Sequence, residues 1–355
     1  MNKQIVLDCE RMKYPFTGLY YFCKELGKAL LRQTSVEANH EFTFYVPEQE
    51  RGVFGANEKY LTQKSLHKFF PVKRSALDIW HCTYQGSQYL PPKGSDTKVL
   101  TTVHDLNFLH EDKSPAKREK YQRRIQKLID RSDAIVTISN FVKEDVLKSL
   151  DIKGKQIEVI YNGCIKPQSS DFKKPDIPLS NPFFFTVGTV NAKKNFHVLV
   201  AMLLNNSHDL LIAGKIDDPA YKIKIKKIAN ELGVSDRVHF LGTIPDEEKF
   251  WLMQNCSAFC FPSIAEGFGL PVIEAMQFGT PVILSKATSL PEIGGEAALY
   301  FDRFDTQSVS RKTNEFLNLQ ITPKMKEDLI LRTKLFDWDE TAKRYIDLYD
   351  NLFRK

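Results

Sequence analysis

Long apolar stretches are missing from this sequence of 355 residues. No segment approaches the roughly 18 consecutive apolar residues that a membrane-spanning helix needs. The opening MNKQIVLDCERMK is a short strand pattern without the apolar run of a signal peptide. We therefore expect a cytoplasmic protein.

Cysteine is also scarce, and its six copies are scattered singly along the chain. The one close pair, Cys256 and Cys260, lies four residues apart inside an apolar, strand-like run. Such a distribution favours small buried side chains with reduced thiols over disulfides or a zinc site.

Two further absences narrow the functional class. The first strand pattern is not followed by G-x-G-x-x-G, the fingerprint that a nicotinamide dehydrogenase would need. A net charge of +6 is mild for this length, and no nucleic-acid-binding motif accompanies it. We therefore expect no nucleic-acid partner.

The sequence does contain a regular alternation of strand and helix patterns. Short β-branched or aromatic runs such as QIVLDCE, KVLTTVHDL and AIVTIS alternate with helical patterns such as TGLYYFCKELGKALLRQ. This alternation predicts parallel sheets wrapped by helices, and hence an α/β fold. Because the chain is longer than one hydrophobic core usually fills, two domains are expected.

A segment rich in proline and serine divides this alternation. CIKPQSSDFKKPDIPLSNP, residues 164–182, contains four prolines and resembles a linker. After it the strand patterns restart with PFFFTVGT, DLLIAGK, RVHFLGT, CSAFCFPS and TPVILSK. We predict two tandem Rossmann-like, doubly wound domains. Their bounds are 1–167 for the first domain, 168–182 for the linker, 183–336 for the second domain and 337–355 for a terminal helix.

Helix starts can be placed from capping residues. Asp337 is the expected N-cap of the terminal helix, with Glu340 three residues further on. Asn140 is the expected N-cap of FVKEDVLKSL. The terminal helix carries Trp338 and Tyr345 on one aromatic stripe, which must pack against another element.

Residues 114–131, SPAKREKYQRRIQKLIDR, hold seven Lys or Arg against two acids. Tyr121, Ile125 and Leu128 recur at helical spacing, so the segment is an amphipathic helix with a basic outer face. The face is either simply solvated or contacts anionic lipid headgroups or an anionic, lipid-linked substrate. In the second interpretation the protein lies peripherally on the inner face of a membrane.

The stretch AEGFGLPVIEAMQFGTP, residues 265–281, predicts a turn between a strand and a helix, with Gly279 at the helix end. Such turns are where open α/β sheets bind ligands, and free backbone N–H groups at the helix start favour an anion. Gly267 and Gly269 remove side chains that would block a close approach. We therefore expect a phosphate over residues 267–271.

Two carboxylates flank this turn. Glu274 can accept paired hydrogen bonds from vicinal hydroxyls, as acids in dinucleotide folds hold a ribose. Glu266 can do the same for a second polyol. The alternative for Glu274 is that an acid near a helix start is simply stabilised by the helix dipole.

A cationic loop is predicted at the same edge of the second sheet. In VGTVNAKKN, residues 187–195, Gly188 ends a strand and Lys193 and Lys194 follow in the loop. An ammonium ion there would neutralise charge on a departing diphosphate. Adjacent lysines are often only solvated, but position makes Lys194 the better candidate of the two.

The first domain offers two further candidates. Gly18, in FTGLYYF, opens the first helix, where a missing side chain leaves room for a ligand. His104 and Asp105, in VHDL, lie at the end of a strand, where a polar pair is costly unless capped or functional. A histidine at such a place is either structural or part of a site.

These motifs together resemble the family 4 retaining glycosyltransferases with the GT-B fold, in which two domains face across a cleft. The resemblance rests on the two glutamates around GFGLPVI and on VGT, KKN, VHDL, TISNF and VIYNG in chain order. It covers essentially the whole chain and is nearest to mannosyltransferases of bacterial O-antigen and capsule synthesis. It also implies that the terminal helix, 337–355, crosses back to the first domain.

The resemblance implies roles for individual residues. Glu274 would bind the donor ribose, Glu266 the hydroxyls of the transferred sugar, and Lys194 the diphosphate. His104 would approach the 6-position of the donor sugar, and Gly18 would line the cleft floor. The residues expected to offer backbone contacts to sugar and phosphate are Gly267, Phe268, Gly269 and Leu270.

One position departs from the family pattern. Many members carry Arg directly after the glycine that ends the strand, whereas this chain has Thr189 after Gly188. Lys193 is the candidate to replace the missing cation.

The resemblance also implies the reaction. It predicts a retaining hexosyl transfer without a metal or other cofactor, with His104, Lys194 and Glu266 as the catalytic residues. The leaving diphosphate would deprotonate the incoming hydroxyl in a front-face displacement. GDP-mannose is the favoured donor and a UDP-sugar the next, with a saccharide or lipid-linked saccharide as acceptor. The alternatives are a sugar phosphorylase or phosphate synthase on the same fold, and a non-catalytic nucleotide-sugar-binding subunit.

Overall fold

A computed structural model of the chain describes residues 2–15, 17–34, 39–72, 77–167 and 172–354. The chain divides into two compact units, one formed by Met1–Gly163 with Phe336–Lys355 and the other by Cys164–Leu335. Of the predicted linker 168–182, residues 168–171 lie outside the described residues, and the remainder is grouped with the second unit.

The elements follow the predicted alternation. The strands are β1 Lys3–Asp8, β2 His40–Val46, β3 Lys59–Thr62, β4 Ile79–Cys82, β5 Lys98–Val103, β6 Ala134–Thr137, β7 Gln156–Val159, β8 Phe183–Val187, β9 Asp209–Ala213, β10 Val238–Gly242, β11 Ala258–Phe261, β12 Val282–Leu284 and β13 Leu299–Tyr300. The helices are α1 Gly18–Thr34, α2 Pro115–Arg131, α3 Asn140–Ser149, α4 Pro219–Glu231, α5 Asp246–Asn255, α6 Leu270–Met276, α7 Leu290–Gly294, α8 Thr306–Leu317, α9 Pro323–Thr333 and α10 Trp338–Phe353.

The first unit is built on a seven-stranded sheet in the order β3-β2-β1-β4-β5-β6-β7, and every pairing in it is parallel. Alternate residues of a strand face opposite sides of a sheet. Ile5 and Leu7 accordingly join the core formed with α1 and α10, while Val6 joins a second cluster with Trp80 and with Leu128 of α2. The helices therefore cover both faces, as a doubly wound fold requires.

The second unit holds a six-stranded parallel sheet in the order β10-β9-β8-β11-β12-β13. Its central strands are almost wholly apolar because helices cover both faces of a parallel sheet. Phe184, Phe185 and Phe259 are fully buried there. The two sheets confirm the predicted α/β class with two Rossmann-like domains.

Short elements account for most differences from the prediction. Strands β3 and β13 were not predicted, because KYLT and LY lack a distinct apolar pattern. The N-cap of α3 is Ser139, whose hydroxyl accepts a hydrogen bond from the backbone of Val142, so the assignment of Asn140 was wrong by one residue. The prediction for Asp337 is confirmed, since its carboxylate accepts from the backbone N–H groups of Asp339 and Glu340.

The predicted cysteine chemistry agrees with the structure. All six cysteines are buried and unbridged. Burial raises the pKa of Cys256 and Cys260 above the usual thiol range, which keeps these thiols protonated and unreactive at neutral pH.

Helix α10 completes the core of the first unit. Its buried stripe includes Trp338, Ala342, Tyr345 and Tyr349, which pack in one cluster with α1 and the strands. A side chain at Gly163 would place its Cβ 2.3 Å from Cγ of Trp338. The aromatic stripe predicted from the sequence therefore has its packing partner in the first unit.

A buried polar chain fastens this helix to the sheet. The hydroxyl of Tyr349 lies 2.8 Å from Nδ1 of His81, and Nε2 of His81 lies 2.8 Å from Oγ1 of Thr102. Thr102 in turn lies 2.9 Å from the hydroxyl of Tyr345. Burial lowers the pKa of His81 to about 3, so the ring is neutral and needs one donor and one acceptor.

Replacing Tyr349 with Phe should remove the hydroxyl that bonds to His81 while keeping the buried aromatic ring in place. We expect the free energy of unfolding to fall by about 1 to 3 kcal/mol, because Nδ1 of His81 would stay buried without its partner. Urea denaturation followed by circular dichroism measures the change. Tyr14→Phe, at a side chain that is 45% exposed, is the control and should have little effect. Equal stability of both variants would show that the hydrogen bond between Tyr349 and His81 does not contribute to the free energy of unfolding.

Candidate active site

The glycine turn lies between β11 and α6. Gly269 has φ of +112°, in the left-handed region that favours glycine, and a Cβ there would lie 2.9 Å from Cδ2 of Leu290. The hydroxyl of Ser289 donates to the carbonyls of Glu266 at 2.9 Å and Phe268 at 3.0 Å. The turn therefore has a fixed shape that depends on glycine and on a serine from the next βα connection.

Glu266 forms a nearly buried ion pair with Lys194. Their Nζ and Oε1 atoms are 2.5 Å apart, and each side chain is 13% exposed. The hydroxyl of Ser263 donates to the same oxygen at 2.6 Å. Burial alone would raise the pKa of Glu266, but the charges of Lys194 and Lys193 and the two hydrogen bonds outweigh it and hold the pKa below its usual value. Glu266 is therefore a carboxylate at neutral pH.

The loop that carries Lys194 is tied to the glycine-turn side of the site. The carbonyl of Lys193 accepts from the backbone of Ile264 at 3.0 Å and from the hydroxyl of Ser263 at 3.2 Å. These bonds place the end of β8 beside the end of β11, neighbouring strands whose carboxyl ends share one edge of the sheet. The structure thus brings together the lysine and the glutamate that the sequence separated by 72 positions.

Gly188, at the end of β8, lies against the side chain of Lys194. Its φ is +152°, and a Cβ there would lie 3.1 Å from Cε of Lys194. The missing side chain therefore makes room for the lysine itself. Nζ of Lys194 also lies 4.7 Å from the centre of the Phe261 ring. Thr189 follows on the same loop and is half-buried.

Glu274 is held by a lysine that the sequence analysis missed. Its Oε1 lies 3.1 Å from Nζ of Lys249 in α5, and the same Nζ lies 2.9 Å from Oδ1 of Asp246. Burial raises the pKa of Glu274 although Lys249 opposes the shift, while the two carboxylates raise the pKa of Lys249 against its own burial. The only sequence signal was a lysine at the start of the apolar run KFWLM.

Two candidates lie in the first unit. Gly18 is the exposed first residue of α1, and no described atom outside its neighbours in the chain would come within 4 Å of a Cβ placed there. His104 directly follows β5, with Nε2 2.8 Å from the carbonyl of Thr83 and with its backbone N–H donating to Gln85 at 3.1 Å.

The contacts of His104 fix its chemistry. A carbonyl only accepts, so Nε2 carries the hydrogen and Nδ1 is the acceptor of the neutral ring. Burial lowers the pKa of His104 to about 4, and the ring meets Phe22 edge-on at 4.5 Å. His104 can therefore accept a hydrogen bond from a hydroxyl at neutral pH but is not a cationic acid there.

Family profiles match both parts of the chain. The profile of Glycosyltransferase Family 4 matches residues 23–164, and that of glycosyl transferases group 1 matches residues 167–335. The chain therefore belongs to the family 4 glycosyltransferases, and it is an enzyme of the glycosyltransferase class with the GT-B fold.

Its relatives include named mannosyltransferases. The chain is 24% identical to the O-antigen chain mannosyltransferase B of Escherichia coli, with 98% of this chain and 99% of that protein covered. It is 29% identical to the O-antigen chain mannosyltransferase RfbU of Salmonella typhimurium, over 58% of this chain and 57% of that protein.

Solved structures share the fold. Sucrose-phosphate synthase from Thermosynechococcus elongatus superposes with a TM-score of 0.76 at 21% identity, covering 99% of this chain and all of that one. Anabaena Alr3699/HepE, solved in complex with UDP and glucose, superposes with a TM-score of 0.73 at 16% identity, with 99% of this chain and all of that one covered. Among the described residues, no helix has both the length and the apolar character needed to cross a bilayer.

The pairing of Glu274 with Lys249 can be tested through stability. In Lys249→Met, Glu274 would be buried without its cation, and its pKa would rise further above the unfolded value. A group whose pKa is higher in the folded than in the unfolded protein stabilises the fold below its unfolded pKa. That stabilisation is lost as the pH rises. We therefore expect the loss in unfolding free energy to grow from pH 5 to pH 8, where it reaches about 3 kcal/mol.

Urea denaturation at both pH values measures this loss. Lys249→Met with Glu274→Gln should recover most of it, because no unpaired buried charge remains and the carboxylate of Asp246 is 51% exposed to water. Lys148→Met removes an exposed ion pair with Glu144 and should change stability by no more than about 0.5 kcal/mol. A loss in Lys249→Met that does not depend on pH would contradict the pairing.

Proposed function

We propose that the protein transfers a hexose from a nucleotide-diphosphate sugar to a saccharide or lipid-linked saccharide in surface polysaccharide synthesis. The observation that carries the proposal is the Lys194–Glu266 pair at the edge of the second sheet. Mannose from GDP-mannose is the favoured donor, because two of the relatives that match are named as O-antigen chain mannosyltransferases. A UDP-sugar is the next candidate, since a protein of the same fold was solved with UDP and glucose.

In this proposal each site residue acts on one part of the donor. Glu274 accepts hydrogen bonds from the ribose hydroxyls, and Glu266 accepts them from the transferred sugar. The ammonium group of Lys194 has three N–H donors, so a bond to Glu266 does not exhaust it, and a diphosphate oxygen can accept another. Nδ1 of His104 accepts a hydrogen bond from the 6-hydroxyl of the sugar. The backbone of Gly267, Phe268, Gly269 and Leu270 contacts sugar and phosphate.

The proposed chemistry is a front-face displacement with retained configuration. The glycosidic C–O bond to the diphosphate breaks, the acceptor oxygen attacks from the same face, and the leaving phosphate oxygen takes the acceptor proton. Lys194 stabilises the negative charge that grows on the diphosphate, and Lys193 adds to it where Thr189 replaces the usual arginine. No metal or other cofactor takes part in this scheme.

The first unit carries a pocket suited to an anionic acceptor. Its volume is about 530 Å³, and its walls combine Leu90 and Leu128 with Lys120, Arg124 and Lys127 from α2. Arg124 is fixed in place because it donates to the carbonyl of Gly86. Such a pocket fits the phosphate of a lipid-linked saccharide. It also fits a sugar phosphate, as a phosphate synthase on this fold would use, so assays with each acceptor separate the two functions.

Nucleotide binding can be measured before the acceptor is known. We expect one of GDP, UDP, ADP and dTDP, or its sugar, to raise the melting temperature without added metal, and the shift to disappear in Glu274→Ala because the ribose loses its acceptor. Glu247→Ala, at an exposed acid in the first turn of α5, is the matched control and should keep the shift. If no nucleotide shifts the wild type, the donor proposal fails, and with it the transferase mechanism above.

The role of Lys194 is tested by turnover. Lys194→Met should lower kcat by about 100- to 1,000-fold, as expected for the loss of one group that stabilises transition-state charge. Lys193→Met should lower it less, because Lys193 does not contact Glu266 directly. Melting temperatures of both variants control for folding, and the anomeric proton of the product reports retention or inversion by NMR. Near-normal turnover of Lys194→Met would exclude the charge-stabilising role.

A further inference from the structure

An exposed apolar segment follows β3 in the first unit. Phe69 and Phe70 are 78% and 73% exposed and are the two most exposed large apolar side chains in the described parts of the chain. Leu66 is 65% exposed and lies on the short 3₁₀ helix Ser65–Lys68, which directly precedes the two phenylalanines. A single exposed apolar side chain is ordinary, but three within five residues form a patch of the kind that marks a binding surface.

The exposure is built into the local structure. Nδ1 of His67 lies 3.0 Å from the hydroxyl of the buried Tyr45, so the middle of the short helix is anchored to the sheet. The backbone N–H groups of Phe69 and Phe70 both bond to the carbonyl of Leu66, at 3.0 and 2.9 Å. The turn is thus closed by its own hydrogen bonds, with His67 inward and Leu66, Phe69 and Phe70 outward.

The chain segment that carries the patch is cationic, although one acid from outside it, Glu48, lines a pocket with Arg51, Lys64 and Phe70. From residue 59 to residue 77 the sequence contains five Lys or Arg and no Asp or Glu. Lys64 and Lys68 are exposed and flank the apolar side chains directly. Apolar side chains flanked by lysines are typical of segments that enter the headgroup region of an anionic membrane.

The patch adjoins the basic face of α2. Nζ of Lys68 lies 5.6 Å from the centre of the Tyr89 ring, and the next residue, Leu90, lines the pocket formed with Lys120 and Arg124. Val72, which follows the patch, packs in the same cluster as Leu128 of α2. The patch and the basic helix therefore cover the same face of the first sheet, opposite α1 and α10.

We propose that residues 64–72 insert into the headgroup region of an anionic membrane through Leu66, Phe69 and Phe70, with the basic face of α2 against the lipid phosphates beside them. The apolar side chains supply binding that salt does not weaken, and the lysines supply attraction that salt screens. This inference goes beyond the proposed transferase function and does not depend on which sugar is transferred.

Vesicle binding tests the proposal. The full chain is sedimented with vesicles of equal phosphatidylglycerol and phosphatidylcholine, and with vesicles of phosphatidylcholine alone. We expect the wild type to bind the anionic vesicles, and Phe69→Ser with Phe70→Ser to lower the partition coefficient at least about tenfold. Ile223→Ser is the matched control, because Ile223 in α4 of the second unit is 67% exposed and has no place in the proposed surface.

Two further variants separate insertion from charge. Phe69→Trp should give fluorescence that brominated lipid quenches beyond the quenching seen with the three native tryptophans. Lys64→Gln with Lys68→Gln should weaken vesicle binding at low salt and flatten the dependence of binding on salt. When these two changes are combined with Phe69→Trp, brominated lipid at high concentration should still quench the tryptophan.

Several results would overturn the proposal. Unchanged partition of the double serine variant, or no added quenching of Phe69→Trp, would show that the patch does not enter lipid. A wild type that ignores vesicles but forms dimers lost on Phe69→Ser would assign the patch to a second copy of the chain. Circular dichroism and the nucleotide-induced thermal shift check that each variant is folded. Because that shift is measured without lipid, failure of the membrane proposal is distinct from failure of the donor proposal.

Discussion

The ion pair between Lys194 and Glu266 is the interaction on which the rest of the candidate site depends. Removing two opposite charges from water is costly unless they meet each other and the remaining polar atoms are satisfied. Here Ser263 satisfies the carboxylate, Gly188 provides space for the lysine stem, and Ser263 and Ile264 bind the carbonyl next to the lysine. The hydrogen bonds to the carboxylate, the space at Gly188 and the bonds to the carbonyl of Lys193 together allow this salt bridge to form at the edge of the sheet.

The site repeats this arrangement on the two sides of the glycine turn. Glu266 before the turn has Lys194, and Glu274 after it has Lys249. The two carboxylates nevertheless differ, because the pKa of Glu266 is lowered while that of Glu274 is raised. Burial outweighs the single lysine at Glu274, whereas two lysines and two hydrogen bonds together outweigh burial at Glu266.

Periodicity was enough to predict the fold but not the pairings within the site. The strand patterns QIVLDCE and PFFFTVGT fall on central strands, because parallel strands covered on both faces leave continuous apolar runs. Lys194 and Glu266 were chosen separately, since nothing local in either loop shows that side chains 72 positions apart will touch. Lys249 was missed because its relevance to the site comes from its ion pair with Glu274, and that pair forms only when α5 packs against α6. The N-cap of α3 was misplaced because Ser139 and Asn140 are adjacent and both favour that position.

The order of the chain gives helix α10 a particular consequence. The first unit is assembled from residues before 164 and after 335, so the second unit is inserted into it. The core of the first domain includes Trp338, Tyr345 and Tyr349. The rest of that domain is synthesised much earlier, since Thr341 bonds to Tyr161, 180 residues before it in the chain. During synthesis the middle of the chain can fold on the ribosome while the sheet of the first unit still exposes the face that α10 will cover. The domain that begins first is therefore completed after the second one, and the apolar surface that α10 covers stays open to aggregation until then.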